Sequence, residues 1–169
     1  RGVVFRFQHL CRARGRGVEV ALVAGGLAAA GRDSEAVAAF RAAIELAPED
    51  PRPYEKLGRL PAVAEEERAR LLIQAGDLRA ERLEPDLAEA AYQEAGKLDA
   101  RLTASAHRKA ARMHSSVGNH TGALLAYAGS LKPSAELGMV TEVRDMALNE
   151  MQEEVCRAEA EIAALGDDV

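Results

Sequence analysis

The pattern that most restricts the fold of this chain is a recurring triplet of small, aromatic and small residues. Ala36-Phe40-Ala43, Ala88-Tyr92-Ala95 and Ala123-Tyr127-Ser130 each place a small residue four positions before an aromatic and another three positions after it. Steps of four and three return to the same side of an α-helix, so each triplet is one helix face with a large side chain between two small ones. Small residues let a neighbouring helix approach closely, and the aromatic fills the remaining space. A chain that carries this face three times is expected to consist of repeated helix pairs.

Each triplet lies in the second half of a helical hairpin. Over residues 17–50, Val20, Val23, Ala24 and Leu27 share one face of a first helix, and Gly31-Arg32-Asp33 interrupts it. Ala36, Phe40, Ala43 and Ile44 then mark a second helix that stops before Pro48. Gly31 suits the left-handed conformation that closes a helix, Asp33 or Ser34 can cap the next, and Pro48 prevents continuation. Residues 69–100 repeat the order with Leu72, Ala75 and Gly76, a turn at Glu84-Pro85-Asp86, and the second triplet. Residues 104–135 do so with Ala110 and Ala111, a turn at Gly118-Asn119, and the third triplet closed by Pro133. Composition agrees. Hydrophobic residues make up 48% of the chain but aromatics only 4%, with no Trp, so alanine carries much of the apolar count. Ala, Leu, Glu and Arg favour helix, and the β-branched and aromatic runs that strands need are missing. The length of 169 residues predicts one folding unit. No stretch of about 18 uncharged apolar residues occurs, so no membrane span is expected.

At this point the chain resembles the tetratricopeptide repeat family. Gly31, Ala36, Phe40, Ala43 and Pro48 follow its pattern, and Tyr54, Leu57 and Gly58 look like the opening of a further repeat. The resemblance covers about residues 17–133. It implies an all-α fold of antiparallel helical hairpins stacked as a short right-handed superhelix, with a concave groove that usually binds protein. The family's motif residues are structural and carry no mechanism. The expected organisation is a basic N-terminal segment over 1–16, repeats over 17–50, 51–68 (degenerate), 69–103 and 104–133, and an acidic C-terminal helix within 134–169. From position 51 to 69 the register advances by only 18 residues instead of 34. Either Pro61 ends a short helix whose partner is residues 62–75, or residues 69–83 form one whole helix and residues 51–60 lack a partner. From Met139 to Leu165 nothing breaks a helix. Leu148, Met151, Val155, Ala158, Ile162 and Leu165 alternate steps of three and four, the seam of a coiled coil, with Glu150, Glu153, Glu154, Glu159 and Glu161 around it. Such a helix either covers the last repeat or pairs with a partner helix or a second copy.

In family members the second, fifth, ninth and twelfth positions of each first helix point into the groove. The resemblance thus implies Arg52, Arg59, Ile73, Arg108 and Arg112 as peptide-binding groove residues, with Val18, Ala21, Gly25 and Ala28 making the other end small and apolar. Arg108 and Arg112, one turn apart, suit a carboxylate or an acidic peptide gripped by forked hydrogen bonds. The chain has no HExxH, no nucleophile elbow, no phosphate loop and no GxGxxG. His107 and His114 read as packing residues, and Asn119-His120-Thr121 is a glycosylation acceptor only in a secretory compartment. No catalytic residue, metal or cofactor is expected.

Charge is strongly partitioned. Residues 1–16 hold five arginines and no acid, whereas residues 134–169 hold ten acids against Arg144 and Arg157. A basic arm of this kind suits an acidic partner, nucleic acid or the chain's own acidic tail, and it also resembles an organelle transit sequence. Cys11 and Cys156 show no ligand spacing and are expected to be reduced thiols of an intracellular, cytoplasmic protein, with an organelle as the alternative. The expected function is a non-catalytic protein-interaction scaffold or assembly subunit of a larger complex, away from membranes, that binds a peptide or helix in its groove. The alternatives are an RNA-binding helical-repeat protein, disfavoured by an acidic pI near 5.5 and few aromatics for stacking, and a regulatory module of a larger enzyme.

Overall fold

A computed structural model describes the backbone of residues 2–136 and 141–166 and the side chains of residues 15–129, 145 and 148–164. Among the described residues every element is an α-helix: α1 (Gly2–Ala29), α2 (Asp33–Leu46), α3 (Pro51–Gly58), α4 (Glu65–Glu81), α5 (Pro85–Leu98), α6 (Ala100–Ser116), α7 (His120–Glu136) and α8 (Thr141–Gly166). The expected helix start at Met139 lies outside the described residues. The helices form two compact units, Arg1–Leu78 and Arg79–Val169, instead of the single unit expected from length. A chain of hairpins explains the difference, because each helix pair packs mainly on its neighbours and no one core gathers the whole chain.

One turn geometry recurs three times. After α1, α4 and α6 the chain passes through a left-handed residue, Gly31 (φ 73°), Leu83 (φ 58°) and Gly118 (φ 72°). The next backbone N–H reaches back five residues: Arg32 to the Leu27 carbonyl (2.9 Å), Glu84 to Arg79 (3.0 Å) and Asn119 to His114 (2.9 Å). This is the six-to-one bond of a Schellman closure. Four residues on, Ala36, Ala88 and Ala123 donate to the carbonyls of Arg32, Glu84 and Asn119 at 3.0 Å. The small residue that opens each triplet is therefore also fixed in place by the turn. The turn at Leu83 settles the irregular stretch. Residues 69–83 do lie in one helix and its closing turn, but that helix begins at Glu65 and its first half is also a partner for α3.

In the first unit α1 and α2 pack through the fully buried Ala24, Ala36 and Phe40, joined by Leu57, Val63 and Leu71. Asp50 is buried and caps α3 by accepting from the Arg52 N–H at 3.1 Å, with Pro51 at the first helical position. At the other end of α3, a Cβ on Gly58 would stand 2.9 Å from Leu72 Cγ, and the Gly58 carbonyl accepts from Arg68 Nε at 3.0 Å. Only glycine lets α3 lie so close to α4. In the second unit α5, α6, α7 and α8 pack in succession. Ala88, Ala91, Tyr92, Ala95, Ala104, Ala110, Ala111, Ala123 and Tyr127 are all buried there. Phe40, Tyr92 and Tyr127 thus occupy one equivalent, buried position between small neighbours; the side chain of Ser130 lies outside the described residues. Pro133 does not close α7, which runs on to Glu136. A proline this near a helix end forgoes only the bond to the Gly129 carbonyl.

Leu83 is the one turn residue that departs from glycine, and a branched side chain in the left-handed region costs about 1–2 kcal/mol. Leu83 is exposed and makes no buried contact that glycine would lose. Leu83→Gly is expected to raise the thermal midpoint by stabilising its unit by about 0.5–1 kcal/mol, and Gly118→Ala to lower it by about 1 kcal/mol or more. Differential scanning calorimetry of the two variants checks the opposite signs.

Candidate functional site

The second unit contains one dense cluster of charged side chains, built where α8 crosses α6 and the start of α7. Asp99 caps α6 by accepting from the Arg101 N–H at 2.9 Å, and about two and three turns past Arg101 the helix projects Arg108 and then Arg112. Their spacing of four puts both guanidinium groups on one face. They converge on a single carboxylate. Arg108 donates to Glu150 through Nε (3.2 Å) and Nη2 (2.6 Å), and Arg112 donates through Nη2 at 2.5 Å. That carboxylate belongs to α8 of the same chain.

A second carboxylate lies one turn along α8. Glu154 is fully buried, accepting from His120 Nδ1 at 2.5 Å and from Arg157 Nη1 at 2.8 Å. Arg157 also donates to the Ser115 hydroxyl. The other nitrogen of His120, Nε2, faces Glu161 at 2.9 Å. Nε2 is buried and makes no hydrogen bond of good geometry, but carboxylates at 2.5 and 2.9 Å favour the positively charged imidazole. The hydrogen bond to Glu154, with Glu161 beside it, raises the His120 pKa above its usual 6.5 against the opposing effect of burial. Burial pushes Glu150 up, but hydrogen bonds from Arg108 and Arg112 outweigh it and hold the carboxyl below its usual 4.5. Glu154 follows the same balance, lowered by Ser115 and His120 and by the charge of Arg157. Burial, reinforced by the Glu150 charge, raises the Tyr127 phenol beneath the cluster.

Glu150, Glu154, Arg157 and Glu161 follow steps of four, three and four, so α8 docks by its polar face. Leu148, Val155 and Ile162, one heptad apart, are left 41%, 38% and 70% exposed. Of the seam read from the sequence, Leu148, Val155 and Ile162 face away from the α6–α7 side on which α8 is seated, Met151 and Ala158 are half-buried, and the Leu165 side chain lies outside the described residues.

The remaining candidates are placed differently. Arg52 folds back on its own capping residue, donating to Asp50 through Nε (2.9 Å) and Nη2 (2.7 Å), an arrangement that Arg101 and Asp99 repeat at the start of α6. Arg59 is exposed just past α3, and Ile73 is half-buried on α4. These three belong to the first unit, and within the second unit Arg108 and Arg112 meet on Glu150. His114 is buried, as its packing position implies. Asn119 Oδ1 accepts from the Gly122 N–H, so its amide nitrogen faces His114 Nδ1 at 3.2 Å, and His114 Nε2 carries the proton shared with Glu89 at 3.1 Å. The Asn119 amide of the glycosylation triplet is thereby occupied as a helix cap. A cleft of about 260 Å3 between α5 and α6 is lined by Glu89, Gln93, Lys97, Thr103 and His107. Sequence reasoning missed His120 and the inward turn of Glu154. Their only signal was the i, i+4, i+7, i+11 order of charges on α8.

Among the described residues no helix is long and apolar enough to cross a membrane, and no group of three or more His, Cys, Asp or Glu is arranged to hold a metal ion. No protein-family model matches the chain, and no curated protein does. Two solved structures that align with it are crystal structures of MamA. One is 19% identical over 88% of this chain and 94% of that chain, with a TM-score of 0.35. The other is 19% identical over 83% of this chain and 97% of that chain, again with a TM-score of 0.35. Similarity this low carries no argument about function.

The protonation states set the pH range in which α8 is held. The contribution of His120 is complete below its ordinary 6.5 and is lost as pH rises through its raised value. That of Glu150 and Glu154 is complete above 4.5 and is lost as pH falls through their lowered values. Hydrogen-exchange protection of the α8 amides, corrected for intrinsic rates, is therefore expected to be greatest between about pH 4.5 and 6.5, with His120→Gln abolishing the loss on the alkaline side. A double-mutant cycle on Arg108 and Glu150, whose side chains are 16% and 19% exposed, should give a coupling of about 1–2 kcal/mol. The half-exposed pair Arg41–Glu67 should give less than about 0.5 kcal/mol.

Proposed function

We propose that this chain is a non-catalytic protein-interaction scaffold of tetratricopeptide-like hairpins whose α6 face takes up a helix bearing spaced carboxylates. The observation that supports this reading is the convergence of Arg108 and Arg112 on Glu150, with Glu154 seated one turn on. Planar guanidinium groups in a fixed fork discriminate carboxylates by geometry as well as charge. A partner that uses this face exchanges with α8, which is tethered and therefore present at high effective concentration. In the first unit Arg52, Arg59 and Ile73 are the proposed contacts of the same partner class. The partner is an acidic protein segment, and the chain acts as a subunit of the complex so formed.

The test uses the full chain and a fluorescent peptide copying residues 145–164. Glu150→Gln with Glu154→Gln weakens the tethered competitor and should tighten peptide binding about ten-fold or more relative to the unmodified chain. Arg108→Glu with Arg112→Glu should remove binding. Equal affinity in all three forms would overturn the proposal.

A further inference from the structure

The docking of α8 by its polar face leaves an apolar stripe with nothing over it. Leu148, Val155 and Ile162 recur every seven residues on the outward side, and Met151 and Ala158 continue the stripe to its half-buried edge. The other edge is acidic: Asp145 and Glu159 are exposed there at a spacing of fourteen, with Gln152 midway. Arg157 is the only base among the described side chains of α8, and it is turned to Ser115 and Glu154. An apolar stripe bordered by acids is complementary to a helix that has an apolar stripe bordered by bases.

The chain itself contains a helix that joins a short apolar face to a surplus of bases. Residues 1–16 carry Arg1, Arg6, Arg12, Arg14 and Arg16 without an acid, and the sequence spaces Val3, Phe7 and Leu10 by four and three. The backbone there is already helical, because α1 is 28 residues long against 14 for its partner α2. At 1.5 Å per residue these are about 42 Å and 21 Å. Gly17 stands beside Ala47 at the end of α2, where an added Cβ would lie 2.8 Å from the Ala47 Cβ. The first half of α1 therefore continues about 21 Å beyond α2, the length of three helical turns or more.

We propose that the outward stripe of α8 binds the basic N-terminal half of α1 from a second copy of this chain, giving head-to-tail association. The contact is heterologous: each copy offers one acidic seam and one basic arm, so a bound pair keeps one of each free and the assembly grows with concentration. Pairing of two α8 helices with each other would instead set Asp145 and Glu159 against like charges. The proposal is independent of the carboxylate-binding face, which uses the opposite side of α8.

Cys11 lies in the basic arm and Cys156 is an exposed free thiol beside Val155, so the two native cysteines report the contact. The experiment mixes unlabelled and nitrogen-15-labelled full chain, applies mild oxidation, and identifies disulfide-linked peptides by mass spectrometry beside light-scattering mass against concentration and salt. The expected results are a mass that at least doubles with concentration and falls with salt, and Cys11–Cys156 links between differently labelled chains. Arg6→Glu with Arg14→Glu should return the chain to a monomer, and adding Asp145→Arg with Glu159→Arg should restore association. Glu150→Gln should leave the links in place. A monomer at every concentration, links confined to one isotope, or links only between two Cys156 residues would each overturn the proposal, the last in favour of paired α8 helices.

Discussion

Helices that meet through alanine meet closely, and this closeness is the constraint on which the structure rests. With no Trp and few other aromatics, the chain lacks the bulk to fill wide gaps between helices. Ala24, Ala36, Ala43, Ala88, Ala95, Ala110, Ala111 and Ala123 are buried where backbones approach, and Gly17 and Gly58 take the approach further. One aromatic per hairpin then occupies what space is left. Close packing of this kind has little tolerance for error, because a single added methyl must displace backbone rather than a flexible side-chain end. The left-handed turns matter for that reason: they bond the first alanine of each triplet at a fixed offset from the turn, which holds the small faces in register.

What the sequence made legible was whatever repeats or whatever a local rule enforces. The triplets, the glycines at positions 31 and 118, and the stop before Pro48 each depend on neighbours within a few residues, and each is where the pattern puts it. The turn at Leu83 lacked its glycine, so α4 was visible only in part; a leucine in the left-handed region is paid for by the bonds at Glu84 and Ala88, which no local propensity records. The candidate site was half legible. Arg108 and Arg112 were identifiable as a pair suited to a carboxylate, but Glu150 lies about forty residues away, and nothing local distinguishes it from Glu153. Arg52 sat at the right repeat position and was taken by its own cap at Asp50, an interaction two residues long that competes with any distant partner.

The orientation of α8 reverses the usual order, in which an amphipathic helix buries its apolar stripe and shows its charges. The reason lies in the surface it meets. α6 offers two guanidinium groups and α7 begins with a histidine, so the docking face is cationic, and three carboxylates of α8 at helical spacing, Glu150, Glu154 and Glu161, match it. A buried carboxylate such as Glu154 is costly to desolvate and is retained only if its partners are well placed. His120 and Arg157 meet that condition from different elements. The arrangement therefore fixes the rotation of α8 about its own axis more sharply than an apolar contact would, since a turn of one residue would bury Glu154 with no donor.

Fixing that rotation also fixes what faces outward. If α8 docked by its seam, Leu148, Val155 and Ile162 would vanish into the unit and the helix would offer only charge; docked by its carboxylates, it offers an apolar stripe with an acidic border. The two faces then respond to different conditions. The inner contact depends on a charged His120 and on ionised Glu150 and Glu154, so it weakens at both pH extremes. The outer stripe combines apolar area, which protonation does not remove, with an acidic border whose attraction salt screens, so its pairing weakens with salt and not with the titration of His120. The ion pairs on one side of this helix thus decide which residues face outward, and the apolar and acidic residues so placed decide what can bind there.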